Sequence, residues 1–165
     1  MTSVAFFRNL NQGQRGQVTT AQLVDALVSS GAVGVRPVRG NGTVIFDTED
    51  AETCLAAALE QLARASAWRD VAFARDADWL AERAGEFPAH TDPSMLELSL
   101  FDGVLAAPLP HAGKGCTVIR AADGYAITVN DRPGTSQATP TLERALGTPV
   151  TSRAATTVRL VLDAM

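Results

Sequence analysis

Lysine is almost absent from this sequence. Lys114 is the only lysine among fourteen basic residues, and the others are arginines. A composition rich in alanine and arginine but poor in lysine is typical of a chain encoded by a GC-rich genome. Arginine is a planar fork that matches two oxygens of a carboxylate or phosphate, so single arginines remain candidates for anion contacts. The net charge of −4 disfavours nucleic acid as a partner of the whole chain.

Cysteine and histidine are equally scarce, with two of each. Cys54 and Cys116 have no nearby cysteine, which is typical of buried thiols in a reducing compartment. His90 and His111 lack the spacing to cysteines or carboxylates that a zinc site needs, so we expect no metal and no cofactor. We also expect neither a membrane helix nor a secretory leader, because no apolar run is long enough. The expected location is the cytoplasm.

Motifs that would name a reaction are missing as well. Neither the phosphate-binding loop nor the dinucleotide-binding glycine pattern occurs, and no nucleophile, base and orienting group can be grouped from the sequence. Aromatic residues make up only 5% of the chain, which leaves little surface for stacking on single-stranded nucleic acid. These absences favour a binding or interaction protein over an enzyme.

What is present predicts a folded chain. Hydrophobic residues make up 46% of the 165 residues and charged residues 19%, which is ordinary for one large domain or two small ones. Apolar runs at residues 3–7, 33–38, 43–46 and 71–74 predict strands. The i,i+4 leucine and valine pairs after Thr19 and the leucines at 55, 59 and 62 predict helices. The first 75 residues therefore read βαββαβ.

The second half repeats this pattern less clearly. A helix is predicted over residues 76–85, and strands over 96–101, 116–121 and 125–130, of which the last two form a hairpin. Residues 103–115 and 133–140 are predicted loops. A short helix is predicted at 141–146, a short strand or turn at 150–153, and a final helix at 154–165. We therefore predict an α+β fold of two ferredoxin-like (βαββαβ) units with antiparallel sheets and helices packed on one face. The units span residues 1–75 and 76–165, the second unit being degraded. One continuous sheet wrapped by helices is the alternative.

The candidate site lies at one end of the first predicted sheet. In a βαββαβ unit, the end of the first strand and the turn between the second and third strands meet at the same edge. Glycine-rich loops and helix N-termini bind anions through backbone amides. The predicted anion-binding residues are Arg8, Asn11 and Gly13 from the first loop and Arg39, Asn41 and Gly42 from the turn. The alternative is an ordinary solvated surface loop.

A further candidate contact lies near the C-terminus. Residues 151–158 place hydroxyl groups and Arg153 at the start of the last predicted helix. Thr151 or Ser152 would cap that helix. Arg153 and Thr157 could in addition supply a second anion contact.

The order of these segments resembles the bacterial DUF1697 family of uncharacterised proteins. The resemblance is carried by residues 7–13, 41–46, 86–88, 142–147 and 151–158. It implies a pair of ferredoxin-like units and implies no reaction. Three departures mark a diverged member: Asn9 replaces a loop glycine, Thr43 replaces an asparagine, and residues 154–156 replace an Asn-Trp-Asn signature. The polar and glycine positions that remain are Arg8, Asn11, Gly13, Gly42, Arg153 and Thr157.

The sequence leaves three functions open. The first is a non-catalytic protein that binds a small anionic ligand or a protein partner through the end of its first sheet. The second is a hydrolase acting on a phosphate or acyl phosphate, by analogy with the arginine and asparagine of acylphosphatases. The third is a nucleic-acid accessory domain, since ferredoxin-like sheets often bind RNA.

Overall fold

A computed structural model describes all 165 residues. The chain is an α+β protein with two antiparallel sheets and five α-helices. It divides into two compact units, residues 1–80 with 163–165, and residues 81–162. A boundary between residues 75 and 76 stays a prediction. No helix is both long and apolar enough to cross a membrane.

The first unit is a four-stranded sheet with two helices. Its elements in chain order are β1 (Thr2–Phe7), α1 (Thr20–Ser29), β2 (Val33–Arg39), β3 (Thr43–Asp47), α2 (Ala51–Ala65) and β4 (Ala72–Asp76). The strands lie in the order β2-β3-β1-β4, and every neighbouring pair is antiparallel. The βαββαβ order predicted for this half is therefore confirmed.

Local signals explain where both helices of the first unit begin. The Thr19 hydroxyl accepts a hydrogen bond from the backbone N–H of Gln22, and the Gln22 side chain accepts one from the N–H of Thr19. This capping box satisfies two backbone donors of α1. Asp50 caps α2 by accepting hydrogen bonds from the N–H groups of Glu52 and Thr53.

Helices α1 and α2 supply one side of the core of the first unit. Alternate residues of the central strands, Ala5, Phe7, Val44 and Phe46, pack with the apolar face of the two helices. The opposite face of the same strands, with Val4, Phe6 and Ile45, is buried as well. The central strands β1 and β3 are therefore buried on both faces.

Strand β2 lies at the edge of the sheet, as its proline predicts. Its pairing with β3 is irregular between Val33 and Arg36 and again between Pro37 and Arg39. A proline donates no hydrogen bond to a ladder, so an edge with register shifts is where it fits.

The second unit is built on a five-stranded sheet. After α3 (Ala77–Gly85), which crosses the division between the units, come β5 (Leu96–Leu100), β6 (His111–Gly113), β7 (Cys116–Ala122), β8 (Tyr125–Asn130), α4 (Ala138–Leu146), β9 (Thr151–Ala154) and α5 (Ala155–Asp163). The strand order is β6-β7-β8-β5-β9, again antiparallel throughout. No helix separates β5 from β7, which is where the sequence pattern already lacked one.

Two predicted loops of the second unit are wrong in part. Residues 111–113 form β6 because their backbone pairs with β7, a non-local contact that the glycines and prolines of this stretch conceal. Helix α4 begins at Ala138, three residues before the predicted start at residue 141. Pro140 concealed this start, although proline is tolerated in the first turn of a helix.

Candidate functional site

Arg8, the first residue of the predicted anion site, is held by a carboxylate of its own chain. Its Nη1 donates to both oxygens of Asp70, at 2.8 and 3.0 Å. The Arg8 backbone N–H donates to the carbonyl of Val71, and its carbonyl accepts from the indole of Trp68. The guanidinium therefore joins the end of β1 to the segment before β4.

Asn9 contacts the same carboxylate. Its Nδ2 donates to Asp70 Oδ2 at 2.9 Å, while the backbone N–H of Val71 donates to Oδ1 at 2.8 Å. Asn9 is the one non-glycine residue with a positive φ, at +52°. Asparagine tolerates this left-handed conformation better than most residues, which explains how it can stand where a family glycine was expected.

The loop after β1 and the turn between β2 and β3 lie next to each other. The backbone N–H of Gln12 donates to the carbonyl of Gly40 at 2.7 Å. Asn11 and Gly13, on either side of Gln12, are exposed, and so is Arg39 beside Gly40. The geometry brings these three residues to one end of the sheet, in the same unit as Arg8.

The turn itself is built on a close backbone approach. Gly42 is buried with φ +73°, and its carbonyl accepts from the N–H of Phe7 at 2.8 Å. A Cβ on Gly42 would lie 2.9 Å from the Cβ of Phe7 and 3.1 Å from that of Leu10. Asn41 is half-buried, and its Oδ1 accepts a hydrogen bond from the Thr43 hydroxyl.

Arg153 and Thr157 belong to the second unit and are both buried. Nη1 of Arg153 donates to the Thr151 hydroxyl and to the Ser152 carbonyl, each at 2.9 Å. Burial lowers the pKa of Arg153 to about 10. Such a guanidinium is a packed interior group and does not present itself to a ligand from solvent.

The predicted cap at Thr151 or Ser152 is wrong. Both residues lie in β9, within the stretch 150–153 that the sequence predicts as a short strand or turn, and they pair with β5 at Leu100 and Ser99. The Ser152 hydroxyl bonds to that of Ser99 at 2.7 Å and to that of Thr139 at 2.8 Å. A strand pairing outcompetes the local capping preference here because it satisfies the backbone as well.

Comparison with known proteins identifies the family of this chain. Residues 1–111 match DUF1697, a family described as a protein of unknown function. The chain belongs to the DUF1697 family. A solved structure of similar fold is the conserved bacterial protein SP0830 from Streptococcus pneumoniae, which is 15% identical, with 99% of this chain and 97% of that chain covered and a TM-score of 0.65. At this identity the likeness concerns the fold alone. No curated protein matches the sequence.

One polar network of this DUF1697 protein was missed by sequence reasoning although it includes a family segment. Glu86 is the first residue of that segment, and its carboxylate accepts hydrogen bonds from Tyr125 and Arg120. Arg83 pairs with Glu86 at 3.1 Å and donates to the Tyr125 hydroxyl at the same distance. The Arg83 guanidinium also lies 5.0 Å from the centre of the Tyr125 ring. The hydrogen bond with Tyr125 raises the pKa of Arg83.

A second missed centre is the buried carboxylate of Glu97, on β5. It accepts hydrogen bonds from the side chains of Asn130 and Ser136 and from the backbone N–H of Ala138, at 2.6 to 3.1 Å. Asn130 Oδ1 in turn accepts from the N–H of Gln137. Glu97 and Asn130 thus satisfy the first backbone donors of α4, whose own N-cap residue makes no side-chain bond. The only hint of this arrangement in the sequence is Glu97 itself, an acidic residue within a predicted strand.

A shallow cavity of about 290 Å³ lies close to this centre. Lys114, Gly115, Asp131, Arg132, Thr135 and Gln137 line it. Cys116 follows the lining residue Gly115 in the chain, and its thiol contacts the Thr141 hydroxyl at 3.3 Å. Burial raises the pKa of this thiol and that of Cys54, so both are poor nucleophiles.

The histidines and the remaining acidic residues do not cluster into a metal site. His90 is exposed and His111 half-buried on β6, and no group of three or more histidine, cysteine or carboxylate side chains is arranged to hold a metal ion. A second open cleft, of about 560 Å³, lies at the Asp47 end of the first sheet. Asp47, Glu49 and Asp50 line part of it, and Asp50 is already occupied as the cap of α2.

Proposed function

We propose that this DUF1697 protein is a non-catalytic binding protein, and that it holds a small anionic ligand at the end of its first sheet. The contact residues are Asn11, Gly13, Arg39, Asn41 and Gly42. The observation that carries the proposal is the 2.7 Å hydrogen bond from Gln12 to Gly40, which sets a glycine-containing loop beside the turn that bears Arg39.

Charge at this end supports an anion as the ligand. Arg15 and Arg39 are exposed, and neither forms an ion pair within the protein. Arg8 differs, because its guanidinium is paired with Asp70. Arg39 is therefore the arginine on which we expect recognition to depend. Arg153 and Thr157, which lie buried in the second unit, are not part of this contact.

We also propose that the first unit is ferredoxin-like. The βαββαβ element order and the strand order β2-β3-β1-β4 support this assignment. The second unit has a related strand order without the first helix and with β6 added at one edge. A cytoplasmic location remains our expectation, supported by two free cysteines that are both buried.

Titration of the full chain with inorganic phosphate and with nucleotides, followed by calorimetry and thermal unfolding, tests the proposal. We expect saturable binding, and a ligand at one hundred times its Kd should add about 2.7 kcal/mol to the free energy of unfolding. Arg39→Ala should weaken binding at least several-fold. Arg64→Ala is the matched control, because Arg64 is an exposed arginine on α2 of the same unit, paired only with Glu60.

Three results would count against the proposal. An equal loss of affinity in the Arg39 and Arg64 variants would mean that only overall charge matters. Release of phosphate from acetyl phosphate, dependent on Arg39, would favour the hydrolase alternative. If no anion binds, a protein partner becomes the better hypothesis for this surface.

A further inference from the structure

The carboxylate of Asp70 is coordinated in the way that a bound oxyanion would be. Arg8 Nη1 contacts both of its oxygens, at 2.8 and 3.0 Å. Asn9 Nδ2 adds a third hydrogen bond at 2.9 Å, and the backbone N–H of Val71 adds a fourth at 2.8 Å. A guanidinium, an amide and a backbone N–H are the donors that proteins use for carboxylate and phosphate ligands.

Two of the three donor groups, the Arg8 guanidinium and the Asn9 amide, come from a different segment than the carboxylate, whereas Val71 directly follows Asp70. Arg8 and Asn9 follow β1, whereas Asp70 lies in the connection between α2 and β4. Asn9 has the positive φ of +52°, and a left-handed backbone at a non-glycine residue persists where its surroundings hold it in place. Two of the donors are therefore carried by the loop after β1, which is a segment separate from Asp70.

Solvent can reach this group of atoms. The side chain of Asp70 is 15% exposed and that of Arg8 is 22% exposed. Arg8 and Asn9 also lead directly into the loop with Asn11 and Gln12, which lies beside the turn at Gly40. An anion that binds at this end of the sheet would therefore lie close to the donors of Arg8 and Asn9.

We propose that Arg8, Asn9 and the N–H of Val71 form an oxyanion cradle, and that Asp70 occupies it as an internal ligand. The carboxylate or phosphate group of an external ligand competes with Asp70 for these donors. Asp70 is thus an autoinhibitory contact that lowers the affinity of this end of the sheet for anions. The inference rests on the proposed anion-binding function for its biological ligand, but the cradle can be tested without it.

A purely structural ion pair makes a different prediction. If Asp70 only fastens β1 to the segment before β4, its removal destabilises the fold and leaves the affinity for anions unchanged. If it is an internal ligand, its removal opens a site with preset donors. The two roles separate in a binding measurement, not in a stability measurement.

The experiment compares Asp70→Ala with Asp25→Ala in the full chain. Asp25 is an exposed carboxylate on α1 of the same unit, so both variants change the net charge equally. Formate and inorganic phosphate are the probes, titrated by calorimetry. We expect Asp70→Ala to bind formate about tenfold more tightly than Asp25→Ala does, a factor within the usual range of coupling between competing sites.

A double variant identifies the donors. Arg8→Ala combined with Asp70→Ala should lose the gain in formate affinity, because the guanidinium supplies the contacts to both oxygens. If Asp70→Ala does not fold, Asp70→Asn keeps the shape of the side chain and removes its charge, and Asp25→Asn is then the control. Equal formate affinity in the Asp70 and Asp25 variants, or a gain that survives loss of Arg8, would overturn the inference.

Failure of this inference and failure of the proposed function give different results. The proposed function depends on Arg39 and is measured as phosphate binding by the unaltered chain. The cradle depends on Arg8 and is measured as the difference between the Asp70 and Asp25 variants. If phosphate binding does not depend on Arg39, the comparison of the Asp70 and Asp25 variants can still succeed. If that comparison fails, phosphate binding through Arg39 can still be observed.

Discussion

Gly42 lies where β1, the loop after it and the hairpin turn come closest together. Its φ of +73° is the left-handed region, which costs a residue with a side chain about 1–2 kcal/mol. The nearest atoms to an added Cβ are the Cβ of Phe7, the Cβ of Leu10 and the carbonyl of Phe7. None of these is the flexible end of a side chain, so the neighbours cannot move aside cheaply.

Gly42→Ala should therefore destabilise the protein by about 2–3 kcal/mol, from backbone strain together with the steric clash. Urea unfolding followed by circular dichroism measures the change. Gly13→Ala is the matched control: Gly13 has φ +83° but no atom within 4 Å of an added Cβ. That variant should show only the cost of the left-handed backbone, about 1 kcal/mol. Equal losses in the two variants would contradict the importance of the close approach.

At the scale of single residues, the sequence predicted local backbone conformation but did not predict the partners of the polar side chains. Thr19 at the start of α1 acts through atoms three residues away, so the sequence displays its role. The ion pair of Arg8 with Asp70 joins residues 62 apart. A sequence does not show which carboxylate a fold will bring to an arginine.

Helix α4 depends on a carboxylate from another element. Glu97 on β5 accepts three hydrogen bonds, one of them from the N–H of Ala138 in the first turn of the helix. A negative charge at this end is also favoured by the helix dipole. The start of α4 is thus stabilised by tertiary contacts and not by a residue of its own cap.

Glu97→Gln should cost about 2–3 kcal/mol of unfolding free energy, because hydrogen bonds to a charged group are lost and an amide donor then faces buried donors. Ser136→Ala is a useful comparison, since it removes only one of the three bonds and Ser136 is exposed. Its effect should be clearly smaller. A Glu97→Gln variant as stable as the original chain would show that the carboxylate does not support α4.

Helix α2, in contrast, begins at a cap within its own sequence. Hydrogen bonds from the side chain and backbone of Thr53 hold the pKa of Asp50 below its ordinary value of 3.8. A lowered pKa in the folded state means that the charged cap stabilises the fold above pH 3.8. That stabilisation is lost as the pH falls through the folded-state pKa.

The corresponding prediction concerns acid sensitivity. Asp50→Asn keeps a capping side chain but no charge, so the variant should be less stable than the original chain at neutral pH. The difference in unfolding free energy should vanish as the pH falls below the pKa of Asp50. Urea unfolding over a pH series measures it, with Asp25→Asn as the control. A difference that persists unchanged in acid would contradict the assigned role of the charge.

For the whole molecule, composition predicts which large partners are disfavoured. The net charge is −4, aromatic residues are few, and the exposed arginines are spread over both units. Nucleic-acid binding requires several phosphate contacts, each of which makes affinity fall with salt. We expect no retention of this DUF1697 protein on heparin and no mobility shift of single-stranded RNA at physiological ionic strength. Binding that weakens steeply with salt would revive the nucleic-acid alternative.

The sequence by itself determined the local elements of this protein. Capping residues, turn glycines and apolar spacing predicted the four strands and two helices of the first unit and the β7–β8 hairpin, because these signals act over a few residues. The resemblance in segment order also placed the chain in its family, which the match over residues 1–111 confirms.

Only the tertiary structure decided the partners of the polar side chains. It paired Arg8 with Asp70, buried Arg153, paired Thr151 and Ser152 with β5, and brought Glu97 to the start of α4. Each of these contacts joins separate elements, and its energy depends on burial and on the geometry of several donors at once. Such contacts form only when the strands have found their order, and no short stretch of sequence records that order.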